Sequence, residues 1–149
     1  ISTLHSNSAL STLYRLQDIG VDPFLIGSSL IGVLSQRLVR VLCPQCRVAV
    51  APNAFVQGLV GDEMKLSNVF TQGAGCKHCH GVGYVGRKAI HEFLDCTPSV
   101  SKAIINRAPE HDIQAILKEE GFRDLCDNGL QKIVDGESSV EELMKHLMK

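Results

Sequence analysis

The chain has no tryptophan, two tyrosines and five phenylalanines in 149 residues, so it carries little with which to stack on exposed bases. It also has no surplus of one charge. Fifteen Lys and Arg stand against sixteen Asp and Glu, which leaves out the basic footprint of a dedicated nucleic-acid binder, and no nucleic acid is expected as a partner. Long hydrophobic runs are missing as well. The most apolar stretch, Phe24 to Leu34, is interrupted by glycine and serine and meets Gln36 and Arg37, well short of the about 20 residues that a membrane span needs. Ile1 to Leu10 has no basic segment followed by an apolar one, so no secretory signal is read there and a cytosolic setting is expected. The chain contains no Gly-x-x-x-x-Gly-Lys-Ser/Thr loop for a triphosphate, no nucleophile elbow and no His-Glu-x-x-His helix. Taken alone, it is not a self-sufficient enzyme. It opens at Ile1 without a methionine, on what reads as the end of a strand, and is expected to be a fragment.

What is present is cysteine in a telling arrangement. Cys43-Pro44-Gln45-Cys46 and Cys76-Lys77-His78-Cys79 are separated by 29 residues. Each Cys-x-x-Cys pair is a short knuckle that places two sulfurs on one metal, and two knuckles close a tetrahedral zinc shell with no open position for catalysis. The zinc would be structural and would fold a segment too short to bury a core of its own. Disulfides would need an oxidising compartment, and a redox dithiol would need a thioredoxin-like βαβ setting; neither is signalled. His78 and His80 are solvated neighbours or substitute ligands. Cys96 and Cys126 read as buried free thiols.

Local pattern places the rest. Ile1 to Leu4 reads as a buried strand end, and Asn7 or Ser8 caps a helix with Leu10, Leu13, Tyr14 and Gln17 on one face, ended by Gly20. Asp22-Pro23 starts a second helix whose buried side is Ile26, Leu30, Val33 and Leu34, kept slim by Gly27, Ser28, Ser29 and Gly32. Arg37 to Leu42 reads as a strand leading into Cys43. A short amphipathic segment is expected around Phe55 to Leu59, and a second strand, antiparallel to the first, at Arg87 to Leu94. From Pro98 onward four helical patterns follow, at Val100 to Asn106, Ile113 to Lys118, Leu125 to Val134 and Val140 to Leu147, with Ser139 and Glu142 at capping-box spacing. His91 and Glu92 are a poor acid/base pair, because strand neighbours point to opposite faces. His5, in Ser2-Thr3-Leu4-His5-Ser6-Asn7, sits where open α/β sheets gather ligand contacts, although a lone histidine at a strand end is more often structural.

Taken together, these segments resemble the hexameric ATPases of bacterial type II secretion and type IV pilus assembly. The resemblance rests on Ser2-Thr3-Leu4-His5-Ser6-Asn7, on Gly20-Val21-Asp22-Pro23-Phe24, and on Ser35-Gln36-Arg37-Leu38-Val39-Arg40 leading into Leu42-Cys43-Pro44-x-Cys46. It continues through Cys76-x-x-Cys79-x-x-x-Gly83-Tyr84-x-Gly86-Arg87 and closes on Gly121-Phe122-Arg123-x-Leu125 to Gly136-x-Ser138-Ser139-x-Glu141-Glu142-Leu143.

The resemblance implies an α/β chain, mostly α, that is the C-terminal part of a RecA-like ATPase core. Residues 1–42 would end that core, 43–79 would form a tetracysteine zinc-binding insertion, and 80–149 would supply a strand and a C-terminal helical bundle. It also implies that His5 belongs to a histidine box approaching the terminal phosphate of a nucleotide, that Cys43, Cys46, Cys76 and Cys79 bind zinc, and that the intact parent uses ATP and Mg. The parent would work as a hexameric ring on an inner-membrane platform, cytoplasmic and peripheral to the inner membrane. Ser6 and Ser8 depart from the family's commoner Thr and Asp. A rival of another class is a zinc-dependent chaperone-like module, since Cys76 to Gly83 fits the Cys-x-x-Cys-x-Gly-x-Gly unit of J-domain co-chaperones. That unit is not repeated, because Cys46 is followed by Arg47-Val48-Ala49-Val50. A zinc-ribbon nucleic-acid module is set back by the balanced charge.

Overall fold

A computed structural model describes residues 1–52, 54–60 and 68–147. In chain order the elements are α1 (Ala9–Asp18), α2 (Pro23–Ser29), β1 (Gly32–Leu42), β2 (Val48–Val50), α3 (Ala54–Val60), β3 (Val69–Thr71), β4 (Tyr84–Asp95), α4 (Pro98–Ile105), α5 (Glu110–Glu119), α6 (Leu125–Val134) and α7 (Val140–Leu147). The fold is therefore mixed α/β with helices predominating. Two compact units are formed, Ile1–Gln36 with His91–Leu125, and Arg37–Ile90 with Cys126–Lys149. Strands β1 and β4 pair as one two-stranded sheet and each runs through both units. The Cys96 N–H donates to the Ile31 carbonyl at one end and the Cys43 N–H to the Gly83 carbonyl at the other, so the strands are antiparallel.

In the first unit, capping chemistry sets the helix starts. Ser8 Oγ accepts the Ser11 N–H at 3.0 Å while Ser11 Oγ accepts the Ser8 N–H at 3.0 Å, a reciprocal box built from two serines. Asp22 accepts the Phe24 N–H at 2.8 Å with Pro23 in the first turn, and Thr97 accepts the Val100 N–H at 3.2 Å ahead of Pro98. Leu13, Ile26, Leu94, Val100, Ile104 and Ile113 meet in the core. Gly27 lets α2 approach α4 closely: a Cβ there would lie 2.7 Å from Ile105 Cγ1 and 2.8 Å from the Ser101 carbonyl oxygen.

Two expectations fail in this unit. Ile1 to Leu4 is exposed and pairs in no ladder among the described residues, so it forms no strand. Helix α2 stops at Ser29, so Val33 and Leu34 lie in β1 and Leu34 is exposed; of the four residues assigned to the buried helix face, only Ile26 is both helical and buried. The β-branched Val33, Val39 and Val41 and the ladder offered by β4 outweigh the helical spacing.

Strand β4 alternates as a half-buried strand should, with Ile90, Glu92 and Leu94 buried and His91, Phe93 and Asp95 exposed. His91 and Glu92 thus face opposite ways. The buried Glu92 carboxylate does something that the sequence did not suggest. Its Oε1 accepts the N–H of Ala9, the first residue of α1, and its Oε2 accepts the N–H of Leu125, the first residue of α6, at 3.0 Å. One negative group therefore satisfies orphan donors at two helix N-termini, where the macrodipoles favour it.

In the second unit, β2 and β3 form an antiparallel hairpin in the register Val48↔Thr71, Ala49↔Phe70 and Val50↔Val69. Helix α3 falls where an amphipathic segment was expected, although the side chains of Phe55 and Leu59 lie outside the described residues. Helices α6 and α7 have the anticipated bounds. Half of the capping box is present: Ser139 Oγ accepts the Glu142 N–H at 3.3 Å, but the Glu142 carboxylate turns to Arg40 instead.

Candidate metal centre

The end of β1 delivers Cys43, and the turn that follows brings Cys46 beside it. The N–H groups of Cys46 and Arg47 both donate to the Cys43 carbonyl, at 3.3 and 2.9 Å. The second knuckle folds likewise, with the Gly81 N–H on the Cys76 carbonyl and the Val82 N–H on the Cys79 carbonyl, both at 3.0 Å. The loops are held close. A Cβ at Gly73 would lie 1.6 Å from the Cys46 carbonyl oxygen, so no other residue fits there without moving the first knuckle.

These turns bring four sulfurs together, all within 4.8 Å of one another. The Cys43–Cys76 separation is 3.7 Å, and Cys46–Cys79 and Cys76–Cys79 are each 3.8 Å. A tetrahedron of sulfurs about 2.3 Å from its centre has edges of about 3.8 Å, so the residues fit zinc bound by four thiolates. All four thiols are free, and these separations are the edges of a metal shell and not S–S bonds of about 2.05 Å. Cys79 Sγ accepts N–H groups from Cys76 at 3.2 Å and Gly83 at 3.1 Å, the outer bonds that orient a metal-binding sulfur.

Burial pushes the Cys46 thiol up to about 12, and its hydrogen bonds to Cys43, Cys79 and Cys76 add to that. At Cys79 burial also pushes upward, but the Cys76 and Gly83 N–H donors outweigh it and pull the thiol down to about 6. The Cys79 thiolate therefore forms readily and offers a cation its first ligand.

His78 and His80 are exposed and stand outside the sulfur group. Cys96 and Cys126 are half-buried rather than buried, and burial, followed by the Asp95 charge, raises the Cys96 thiol to about 11. His5 is exposed in the segment before α1. It immediately precedes Ser6, whose hydroxyl pairs with that of Thr12 and donates to the Ser8 carbonyl. Ser6 and Ser8 thus serve the start of α1.

Sequence reasoning missed the residues that brace this centre. The Arg47 guanidinium stacks 4.1 Å from the Phe70 ring centroid and donates to the Gly136 carbonyl. The Leu42 N–H donates to the Glu137 carbonyl at 2.8 Å, which ties the strand before the first knuckle to the α6–α7 turn. Arg40 donates to Glu142 twice, from its backbone N–H at 3.2 Å and from its guanidinium at 2.6 Å. Arg40 holds the Glu142 carboxyl down at about 2. Because the folded value is depressed, the pair contributes fully above the ordinary carboxylate value of 4.5 and is lost as pH falls through about 2. Glu142 is 4% exposed but Arg40 is 36% exposed, so solvent weakens the pair. Glu142→Gln is expected to cost about 1–3 kcal/mol in urea denaturation of the zinc-loaded protein at neutral pH. A midpoint within error of the original would show that the carboxylate charge contributes nothing.

A mixed α/β chain with a preformed four-cysteine centre is what the structure defines. Residues 1–145 match the family described as Type II/IV secretion system protein, and the chain belongs to that family. It is 42% identical over 147 residues to the putative type II secretion system protein E of Escherichia coli, covering 97% of this chain and 29% of that protein. It is 40% identical over 147 residues to the type IV pilus assembly ATPase PilB of Thermus thermophilus, covering 97% and 16%. With the type II secretion system ATPase E of Vibrio cholerae the identity is 37% over 145 residues, covering 97% and 29%. The chain therefore spans less than a third of the length of these relatives.

Proposed function

We propose that the chain is the C-terminal part of a motor ATPase that powers type II secretion or type IV pilus assembly. Relatives named as ATPases of those two systems align with 97% of it. The observation that carries the reading furthest is the sulfur tetrahedron, at the four positions where the resemblance places zinc ligands. Cys43, Cys46, Cys76 and Cys79 would hold zinc as a structural ion, since four protein ligands leave no position for a reacting water.

In this reading residues 1–42 end a RecA-like core whose phosphate loop and Mg-binding acids lie in other parts of the parent. The parent would act in the cytoplasm as a hexameric ring against an inner-membrane platform. His5 would donate to a terminal phosphate oxygen of ATP, a contact that gains importance as charge redistributes in phosphoryl transfer. Its exposure is compatible with such a role. No helix among the described residues is long and apolar enough to cross a membrane, so attachment would come through partners.

The test uses the full-length parent. His5→Ala is expected to lower turnover about 10–100-fold while weakening ATP binding much less, with thermal stability unchanged because His5 is exposed. Normal turnover per assembled ring beside a lowered melting temperature would reduce His5 to a structural residue. Metal analysis should return one zinc per chain; substoichiometric metal with four readily alkylated thiols would remove the zinc assignment.

A further inference from the structure

The second unit contains a cleft of about 380 Å³ lined by Leu38, Arg40, Arg87, Glu142, Lys145 and His146. Three permanent cations face one carboxylate there, an excess of two positive charges in a chain whose net charge is −1. We propose that this cleft binds a phosphate group, a role separate from the metal centre and independent of the motor reading.

The cleft is partly preorganised. Arg40 is fixed from three directions: its guanidinium lies 4.0 Å from the Tyr84 ring centroid, its carbonyl accepts Ser138 Oγ at 2.9 Å, and Glu142 holds its guanidinium and N–H. Glu142 engages one end of the guanidinium fork and leaves other N–H donors. Glu142 is also shared, with Lys145 Nζ at 3.8 Å and His146 Nε2 at 3.5 Å. Arg87 has no carboxylate partner among the described residues.

Donors therefore converge from β1, β4 and the last turn of α7 with a positive excess that Glu142 does not cancel. A phosphate group carries roughly −1.5 to −2 charge near neutral pH and presents three strong acceptor oxygens, which matches both the charge excess and the three directions of approach. A single carboxylate would balance only half of the excess. Exposed Leu38, at 53%, offers an apolar wall for whatever carries the phosphate.

The chain, loaded with zinc, is titrated with inorganic pyrophosphate and separately with phosphatidylcholine vesicles containing phosphatidylglycerol. Both are compared with the Arg87→Gln/Lys145→Gln variant. These two side chains are exposed, so the melting temperature should not move, and Lys118→Gln controls for loss of charge elsewhere. Saturable pyrophosphate binding that weakens at least about tenfold in the double variant, but not in the control, supports a soluble phosphate ligand. Binding to the vesicles alone, with the same loss, supports a lipid headgroup as the source. If the double variant binds as tightly as the original chain, or the original binds neither probe, the proposal is overturned.

Discussion

With zinc bound at the four cysteines as proposed, stripping it with a strong chelator is expected to unfold the described residues of the second unit and to leave α1, α2, α4 and α5 formed. The bond pattern sets this boundary. The Cys43 N–H is held by Gly83, Leu42 by Glu137, and Arg47 by Phe70 and Gly136, while Tyr84 Oη lies 3.4 Å from Ser139 Oγ. The knuckles and the α6–α7 turn are therefore one network, and losing the metal should loosen both. Structural zinc contributes on the order of 10–16 kcal/mol in zinc-finger peptides, as much as the whole stability of an ordinary domain, so loss of the unit is expected to be complete. The core around Leu13, Ile26, Leu94 and Ile104 contains no ligand and has its own capped helices. Hydrogen exchange read by mass spectrometry, on the chelated chain and on Cys79→Ser, checks this. Exchange confined to 43–83 would show that α6 and α7 stand without the metal. Uniform exchange throughout would show a single cooperative unit.

Glu92→Ala is expected to cost roughly 2–5 kcal/mol, since it strands two buried N–H donors, each worth about 1–3 kcal/mol when left unsatisfied. Both donors open helices, Ala9 for α1 and Leu125 for α6, so the loss also removes a negative charge from two positive helix ends. Glu92→Gln should recover part of the loss, because its amide keeps one acceptor oxygen but turns an NH₂ toward the other N–H. Urea unfolding of the zinc-loaded protein, followed by circular dichroism, gives both values. A loss below about 0.5 kcal/mol for Glu92→Ala would mean that water replaces the carboxylate at both helix starts.

The two predictions differ in how far they are visible before folding. The four cysteines were legible because Cys-x-x-Cys spacing is itself the geometry of a knuckle, and the sulfur separations of 3.7 to 3.8 Å follow once two knuckles meet. Helix starts at Ser8 and Asp22 were legible for the same reason, since a capping side chain bonds an N–H two or three residues along the chain. The family resemblance rested on such ordered local segments.

Glu92 gave no such signal. Its neighbour His91 invites an acid/base reading, whereas the bond that matters reaches Ala9, 83 residues away. Glu142 has the right spacing for a capping box with Ser139, yet its carboxylate is drawn to Arg40, 102 residues away, because a guanidinium and a backbone N–H together offer more than one N-cap N–H. The end of α2 was misplaced because helical spacing through Leu34 competes with a β4 ladder that exists only after folding. Sequence by itself determined what is fixed within a few residues: the knuckles, the caps and the bounds of α6 and α7. Only the tertiary structure decided where α2 yields to β1, that β2 pairs with β3, how the chain divides into two units, and which buried charges meet. Those outcomes depend on groups brought together from distant parts of the chain, where desolvation leaves each donor and acceptor to find whatever partner the fold supplies.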